Sequence, residues 1–455
     1  MKKSLVALAV LAATGAYAQS SVTLYGIVEA TTDIGYNRNV DTRTTTSNFS
    51  AAGLAVGPAV TVATTARQKN NFRVQDGSDQ GTGTSRVGFR GTEDLGGGLK
   101  ANFVLEMGLR VDDGCTTLGA TGGITCDNGG NSANSGGSTF GRNAWGGLSG
   151  SFGEVRVGRQ VLGSYSVQAN TEPTGASLGL YNSSASGFAP TAIGGVRFSN
   201  AIRYMSPDFA GFKASVMVSA PETAANTTSF TPVNTTASRR TGVDLALEYA
   251  NGPAYVGFGY NKRDAGNLTS VTVGPSTVNV APGTVTGYTI GGAYDLGVVK
   301  PFINYTRVKT GASGSTVAPV GFISGISASN ANAKALSVGL RAPVGAFTVI
   351  AGYGRVNTDT NSSLVATTAG NVSTFTSTAQ EDRRDAFQLG AQYALSKRTL
   401  IEANYGFSKL RTNSAAAESR NGAPFLPSGA GGRQERFIDS NERISAFNVG
   451  LKHSF

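Results

Sequence analysis

Residue types on which most catalytic sites depend are scarce in this chain of 455 residues. It has one histidine, His453, and a single tryptophan. A Ser-His-Asp hydrolase needs a histidine beside a positioned serine, and a histidine metal site needs more than one histidine. No Walker-type phosphate loop occurs in the sequence. The sequence therefore argues against an enzyme and predicts no catalytic residue.

Long apolar runs are also missing. The run from Leu5 to Ala13 follows two lysines and precedes the small residues Ala16 and Ala18. It is too short to span a bilayer, which needs roughly 20 residues, and it is typical of a secretory signal peptide. We expect a signal over 1–18 and one exported domain over 19–455.

Cysteine is nearly absent, and both copies, Cys115 and Cys126, lie in the segment CTTLGATGGITC. In an exported protein this spacing indicates a disulfide that braces a loop. A metal site is the alternative, but no histidine or third cysteine is near. The pair Asp112–Asp113 could bind Ca²⁺ with loop oxygens, although solvated loop charge is the simpler interpretation. No other cofactor is expected.

Clustered positive charge is absent too, although the formal net charge is +10. The lysines and arginines are spread along the chain, with no compact basic run and no aromatic-basic motif. Nucleic-acid binding is therefore not expected.

Glycine and short alternating segments are abundant. The 62 glycines are about twice the usual share of ~7%. Segments such as SVTLYGIVEAT place apolar side chains on one face and polar ones on the other, which predicts β-strands. Sixteen strands are predicted, at 21–34, 84–93, 98–110, 140–149, 152–160, 197–206, 211–220, 241–250, 254–263, 285–295, 298–308, 334–342, 346–356, 385–395, 398–410 and 443–455.

The connections between these strands alternate in length. Short turns alternate with long polar segments, among them 35–83, 161–196, 221–240, 310–333, 358–384 and 411–442. An even number of strands of about ten residues, with short turns at one end and long loops at the other, is typical of an outer-membrane barrel. The predicted fold is therefore all-β: a 16-stranded antiparallel transmembrane β-barrel with an aqueous lumen.

The polar faces of the strands carry a set of charges. Arg86, Arg142 and Arg197 lie on three strands that run toward the short turns, each roughly 18–25 Å above the turns. Alternation turns Arg86 and Arg197 inward, and Arg142 also if Trp145 faces lipid. A ring of arginines favours anions; the alternative is that each is a solvated lumen residue with no particular role. Further lumen-facing charges are predicted at Glu29, Arg90, Lys100, Glu106, Arg159 and Arg203, the acids opposing the basic residues.

The last strand alternates to its end. Because lipid forbids open sheet edges, this strand is expected to pair with the first one and close the barrel. The residues predicted to face lipid are Phe447, Val449, Leu451, His453 and Phe455.

Five segments resemble the general porins of Gram-negative bacteria, especially their betaproteobacterial branch. They are SSVTLYGIVEA, SRVGFRGTEDLGGGLKANFVLEMG, FGRNAWGGLSGSFGEVRVGRQ, RFSNAIRYMSPDFAGF and NVGLKHSF. The resemblance implies a homotrimer in the outer membrane, in contact with lipid and lipopolysaccharide, and a terminal strand that the barrel-assembly machinery reads. It also implies that the third outer loop, 161–196, folds inward and narrows the channel.

The resemblance further bears on the charges of that constriction. The pore-facing arginine cluster of the family falls on the three arginines named above. The family commonly places two or more carboxylates on the third loop, whereas this chain has only Glu172 there. We therefore expect a passive diffusion channel for small hydrophilic solutes, anionic and neutral, with mild anion selectivity. The alternatives are a channel specific for an anionic metabolite, such as phosphate or a carboxylate, and a surface-adhesion barrel.

Overall fold

The structure is a computed structural model. It describes residues 21–49, 55, 57–76, 85–109, 111, 116–117, 139–173, 195–220, 234–237, 241–265, 268–273, 276–280, 283–317, 323–368, 372–420 and 432–455. The predicted signal 1–18, the cysteine pair Cys115 and Cys126, the Asp112–Asp113 pair and the 174–194 part of the third loop lie outside the described residues.

Strands make up nearly all of the described chain. The strands of the first half are β1 (Ser21–Phe49), β2 (Val60–Asp76), β3 (Arg86–Gly96), β4 (Leu99–Leu109), β5 (Thr116–Thr117), β6 (Asn143–Gly150), β7 (Gly153–Val161), β8 (Arg197–Met205), β9 (Phe212–Ser219), β10 (Asn234–Ala237) and β11 (Gly242–Asn251). Those of the second half are β12 (Ala254–Ala265), β13 (Leu268–Val273), β14 (Ser276–Val280), β15 (Gly283–Tyr294), β16 (Lys300–Val317), β17 (Ile323–Val344), β18 (Phe347–Thr368), β19 (Val372–Ala394), β20 (Thr399–Arg420) and β21 (Gly432–Ser454).

The strands form a closed antiparallel barrel. Successive barrel strands pair with each other, and β1 pairs with β3 on one side and with β21 on the other. The last strand is in register with the first, with Ile27 opposite Ser454. Apart from β2, β5 and the small sheet of β10, β13 and β14, the barrel contains the sixteen predicted strands, so the predicted fold class is confirmed.

Several strands are much longer than predicted. The segment 35–83, expected to be a loop, instead extends β1 to Phe49 and returns as β2, which pairs with β1 from Ala30 to Thr46. Strands β17 to β21 each contain 22 or 23 residues. These extensions are rich in Thr, Ser and Asn, so both faces are polar and lack the apolar alternation of a membrane-facing strand. Threonine nevertheless favours extended backbone, which accounts for the added length.

The two faces of the barrel differ in the way that the alternation predicts. Large apolar side chains such as Leu24, Phe89 and Val157 are exposed on the outside. Polar side chains such as Asn304 and Gln388 are buried on the inside. This is the arrangement of a barrel that lies in lipid and encloses a polar interior.

In the described part of the chain, one helix interrupts the strands. Helix α1 (Gly163–Asn170) directly follows β7 and packs against the inner face of β11, β12 and β15. Among the described residues, no helix is long and apolar enough to cross a membrane. The described start of the third loop therefore lies inside the barrel and occupies part of the lumen.

Candidate functional site

Glu106 on β4 is the centre of a charged cluster on the inner wall. Its side chain accepts a hydrogen bond from the Nε of Arg142 at 2.7 Å and from the Tyr25 hydroxyl at 2.9 Å. The Nε of Arg86 lies 3.7 Å from the same carboxylate. Glu106 and Arg142 are only 6% and 9% exposed. The acid predicted to oppose the basic residues is thus in direct contact with two of them.

Arg197 completes the group of wall arginines. It lies at the start of β8, within electrostatic range of Arg142, Arg159 and the α1 residue Tyr165. Within the described part of the chain, no hydrogen-bond acceptor contacts its buried Nε. The structure therefore brings Arg86, Arg142 and Arg197 together, and Arg197 is the one of the three without direct contact to Glu106.

Arg142 points inward, although Trp145 does not face lipid, which was the condition given for that direction. Trp145 lies on the lumen face of β6. It is paired with Val104 on β4, which alternation places on the same face as Asn102 and Glu106. Its ring stacks under the guanidinium of Arg156 at 4.1 Å. Arg142 precedes the first residue of β6, so strand alternation does not set its direction; its contact with Glu106 does.

The other predicted lumen charges are spread over the wall. Arg159 donates to the Gly141 carbonyl and to Ser199, both at 2.7 Å, and Arg90 lies over the Tyr25 ring at 5.1 Å. These two border the cluster around Glu106, while Lys100 is exposed near the turn between β3 and β4.

Two of the predicted charges have partners elsewhere. Glu29 is fully buried and lies 3.3 Å from the Nζ of Lys452 across the closing seam. Arg203 is buried beside the start of α1, where it donates to the Val161 carbonyl and to Ser215, each at 3.1 Å. Arg203 therefore braces the loop instead of lining open lumen.

The start of α1 is fixed to the wall by a carboxylate of β11. Asp244 accepts hydrogen bonds from the backbone N–H groups of Gly163, at 2.7 Å, and Ser164, and also from the Ser164 hydroxyl. The helix has no capping side chain of its own. A negative charge at a helix N-terminus accepts hydrogen bonds from the free N–H groups and interacts favourably with the helix dipole. Asp244, on a barrel strand, therefore anchors the start of the third loop.

The end of α1 is anchored in a similar way. The side-chain amide of Asn304 on β16 donates to the Thr171 hydroxyl at 2.7 Å, and Asn170 donates to Tyr255 at 3.2 Å. These contacts hold both ends of the helix against the barrel wall.

Glycines on the inner wall give the loop room to lie flat. A Cβ added at Gly259 would come within 2.6 Å of the Ser164 Cα, and one at Gly291 within 2.7 Å of the Thr171 Cβ. At Gly339 it would meet Pro173 at 2.5 Å. Real Cβ atoms do not approach so closely, so glycine at these inward positions of β12, β15 and β17 permits the path of the loop.

Glu172, the predicted acid of the third loop, is buried against its own segment. It is 5% exposed and accepts a hydrogen bond from Gln168 at 3.4 Å. Burial raises the pKa of Glu172 to about 7, with Gln168 opposing the rise. Tyr165 lies within electrostatic range of Glu172 on one side and of Arg197 on the other.

The predicted residues of the last strand occupy the outer face. Phe447, Leu451 and Phe455 are exposed there, with Val449 and His453 at the same alternation. His453 contacts the hydroxyl of Thr399 at 2.9 Å. Phe455 exchanges two backbone hydrogen bonds with Gly26, each 3.1 Å long, which extends the seam to the last residue.

Sequence reasoning did not identify the residues that hold the loop. Asp244 and Asn304 lie 81 and 133 residues from their loop partners, and nothing local marks them. The glycines did carry a signal, because Gly259, Gly291 and Gly339 fall on inward positions of separate strands, where most inward residues are polar.

Comparison with known proteins places this geometry in a family. A family model described as Gram-negative porin matches residues 4–413. The chain is 31% identical to an outer membrane porin protein of Bordetella pertussis, over 90% of this chain and 94% of the relative. It is 30% identical to outer membrane porin protein 32 of Delftia acidovorans, over the full length of both.

A solved structure agrees at the level of the fold. The anion-selective porin from Comamonas acidovorans superposes with a TM-score of 0.51 at 22% identity, covering 96% of this chain and 100% of that one. Together with the closed barrel and its polar interior, these matches show that the chain belongs to the Gram-negative porins and is a passive channel of the outer membrane.

Proposed function

We propose that this channel is mildly anion-selective and that Arg86, Arg142 and Arg197 set its selectivity. The observation that carries the proposal is a cluster of three guanidinium groups on the inner wall, two of them in contact with Glu106 and the third, Arg197, within electrostatic range of it. With three positive charges and one negative charge, the group retains a net charge of about +2, and the low-dielectric wall focuses the resulting field. A relative named as an anion-selective porin shares the fold, which is consistent with this proposal.

The solutes in this proposal are small hydrophilic anions and neutral molecules that move down their gradients. Helix α1 and the start of the third loop narrow the lumen opposite the arginines, with Glu172 as the acid of the loop. The cluster performs no covalent chemistry and acts only on the local concentration of ions.

The assembly in this proposal is a homotrimer, exported with a cleaved signal over 1–18 and inserted by the barrel-assembly machinery as the domain 19–455. Support comes from membership of the porin family and from the exposed apolar outer face. Chemical cross-linking of the purified protein in detergent is the test: a ladder that ends at three protomers supports the trimer, and one that ends at a single protomer contradicts it.

The reversal potential across a planar bilayer in a KCl gradient tests the selectivity. We expect the wild-type channel to favour chloride. Arg197→Glu should shift the ratio of chloride to potassium permeability toward potassium by about fivefold, because two unit charges 4 Å apart in water interact by about 1 kcal/mol. Arg197 is the informative position since it lacks direct contact with Glu106.

The matched control is Lys262→Glu, which makes the same charge change on the outer face of β12. This variant should leave the reversal potential unchanged. A cation-selective wild type, or equal shifts in both variants, would contradict the proposal. Saturable block of the current by one anion, such as phosphate, would instead indicate the metabolite-specific alternative.

A further inference from the structure

The single tryptophan of the chain interrupts the polar inner wall of the barrel. Trp145 is paired with Val104 on one side and with Gly158 on the other. Two half-buried apolar side chains thus lie next to each other on a face whose adjoining residues Asn102 and Glu106 are polar or charged. Sites for small molecules combine aromatic side chains with a few placed polar groups in this way.

Arg156 on β7 fixes a flat surface on this tryptophan. Its guanidinium lies over the indole ring, 4.1 Å from the ring centroid. The Nε and Nη2 of Arg156 also donate to the two carboxylate oxygens of Glu154, at 2.9 and 2.8 Å. A bidentate pair fixes the plane of a guanidinium, and guanidinium planes stack on aromatic rings. We call the stacked side chains of Trp145 and Arg156 the lumen platform.

The lumen platform lies next to the arginine cluster. Asn143, the next inward residue of β6 toward the long loops, donates to Glu106 at 3.2 Å. The Nε atoms of Arg86 and Arg142 lie 3.7 and 2.7 Å from the same carboxylate. Successive inward residues differ in height by roughly 5 Å, at ~3.3 Å per residue and a strand tilt near 45°. A ring that stacks on the platform therefore has guanidinium groups one step above it.

The platform also borders the open lumen. The side chains of Arg156 and Glu154 are 24% and 18% exposed, and Trp145 is half-buried. Helix α1 packs against β11, β12 and β15, whereas the platform belongs to β6 and β7. A solute that has passed the arginine cluster on its way to the short turns therefore meets the platform next.

We propose that the lumen platform binds planar aromatic carboxylates, so that the channel favours these solutes among small anions. The ring of the solute stacks on the platform, and its carboxylate points toward the arginine cluster. Stacking of aromatic rings contributes more than the burial of apolar area alone, and the net positive charge of the cluster attracts the carboxylate. The proposal rests on the proposed function, since it names a class of solute for the same lumen.

Tryptophan fluorescence of the wild-type protein is the first test. Because the sequence has one tryptophan, its emission reports on this site alone. The folded full-length protein in detergent micelles is titrated with benzoate, and we expect a saturable change of the emission. Cyclohexanecarboxylate has the same charge but no planar ring, and benzamide is planar but neutral. Each of these two should bind about fivefold more weakly than benzoate.

Block of the single-channel current by benzoate is the second test. Trp145→Leu should raise the half-blocking concentration about fivefold, and Trp145→Phe, which keeps a ring, should raise it less. The matched control is Phe302→Leu on β16, which removes another inward aromatic side chain beside a cation, Lys300. This control should be blocked like the wild type.

Several outcomes would overturn the proposal. An emission change that does not saturate would assign the effect to benzoate dissolved in the detergent. Equal binding of cyclohexanecarboxylate would remove stacking from the site, and equal binding of benzamide would remove the carboxylate. Equal loss of block in Trp145→Leu and Phe302→Leu would make the binding unspecific.

The reversal potential separates this proposal from the one on selectivity. Trp145→Leu changes no charge, so its reversal potential in a KCl gradient should equal that of the wild type. A cation-selective wild type would contradict the selectivity proposal alone. An anion-selective wild type without saturable binding of benzoate would contradict the role of the lumen platform alone.

Discussion

At the scale of single residues, charge in the lumen is set by contacts that differ from one arginine to the next. Arg142 donates directly to Glu106, whereas Arg197 does not. The sequence placed the three arginines on the inner wall and named Glu106 as an opposing charge. It could not show which arginine the acid neutralises, because that depends on the side-chain directions of Arg142 and Arg86 at the ends of their strands.

The face of Trp145 shows a limit of alternation. In NAWGGLSG the glycines give no polarity signal, so the inward direction of Arg142 was predicted only on the condition that Trp145 faces lipid. Its neighbours Ala144 and Leu148 take the outer face instead, and Arg156 gives the ring a cation to stack on. The contact with Arg156 on β7 stabilises the lumen-facing orientation of Trp145.

Glu172 should make the selectivity depend on pH. Its pKa is raised to about 7 by burial, so it is neutral below that value and negative above it. We expect anion selectivity to fall as the pH rises from about 6 to 8. A negative charge then appears on the loop beside Tyr165, whose other electrostatic neighbours are Arg197 and Arg142, and it offsets part of their positive charge. Reversal potentials at several pH values measure this, and Glu172→Gln should remove the dependence.

The ionisation of Glu172 also makes the free energy of unfolding depend on pH. The pKa of Glu172 is higher in the folded protein than the ordinary value of 4.5. The folded state therefore holds the proton more tightly, and the free energy of unfolding falls as the pH rises between about 4.5 and 7. Glu93→Gln, at an exposed carboxyl near a turn, is the control. The same pH dependence in the wild type and in Glu172→Gln would contradict the assignment.

At the scale of elements, the strands were predictable and the path of the third loop was not. Alternation of apolar and polar residues is local, and it located all sixteen strands. The extensions of β1 and of β17 to β21 were missed because their sequences are polar on both faces and show no apolar alternation. The loop depends on Asp244, Asn304 and the inner glycines, which meet it only after the barrel has closed.

Gly259→Ala should displace helix α1 from the wall. The added Cβ would come within 2.6 Å of the Ser164 Cα, so the helix has to move toward the lumen and narrow it. We expect a lower single-channel conductance, by roughly a third, and no loss of folded protein. Gly146→Ala on the outer face of β6 is the control, since its Cβ would meet nothing nearer than 3.9 Å. Unchanged conductance in Gly259→Ala would show that the loop does not limit the current.

At the scale of the whole molecule, closure depends on the seam between β1 and β21. The seam continues to Phe455, whose ring lies where a side chain at Gly26 would be. His453, the single histidine of the sequence, lies on the outer face and has a hydroxyl partner on β20.

Deletion of Phe455 should reduce the yield of folded barrel several-fold and leave the conductance of the surviving channels unchanged. The reason is that the deletion removes two hydrogen bonds and one aromatic contact from the seam, far from the arginine cluster. Heat-modifiable migration on gels measures the folded fraction. Phe437→Ala, at another exposed phenylalanine of β21, is the control. A normal folded fraction in the deletion would contradict the role of this residue.

The seam also sets the order in which the protein can fold. Arg38 and Glu442 form an ion pair across it although they are 404 residues apart. Bringing the ends of so long a segment together has a large loop-closure entropy, and non-local pairings slow folding. Hairpins between neighbouring strands can form early, but an open edge persists on β1 until β21 arrives. The chain therefore passes through a stage in which two unpaired edges have to be shielded, and closure is the step at which it becomes a channel.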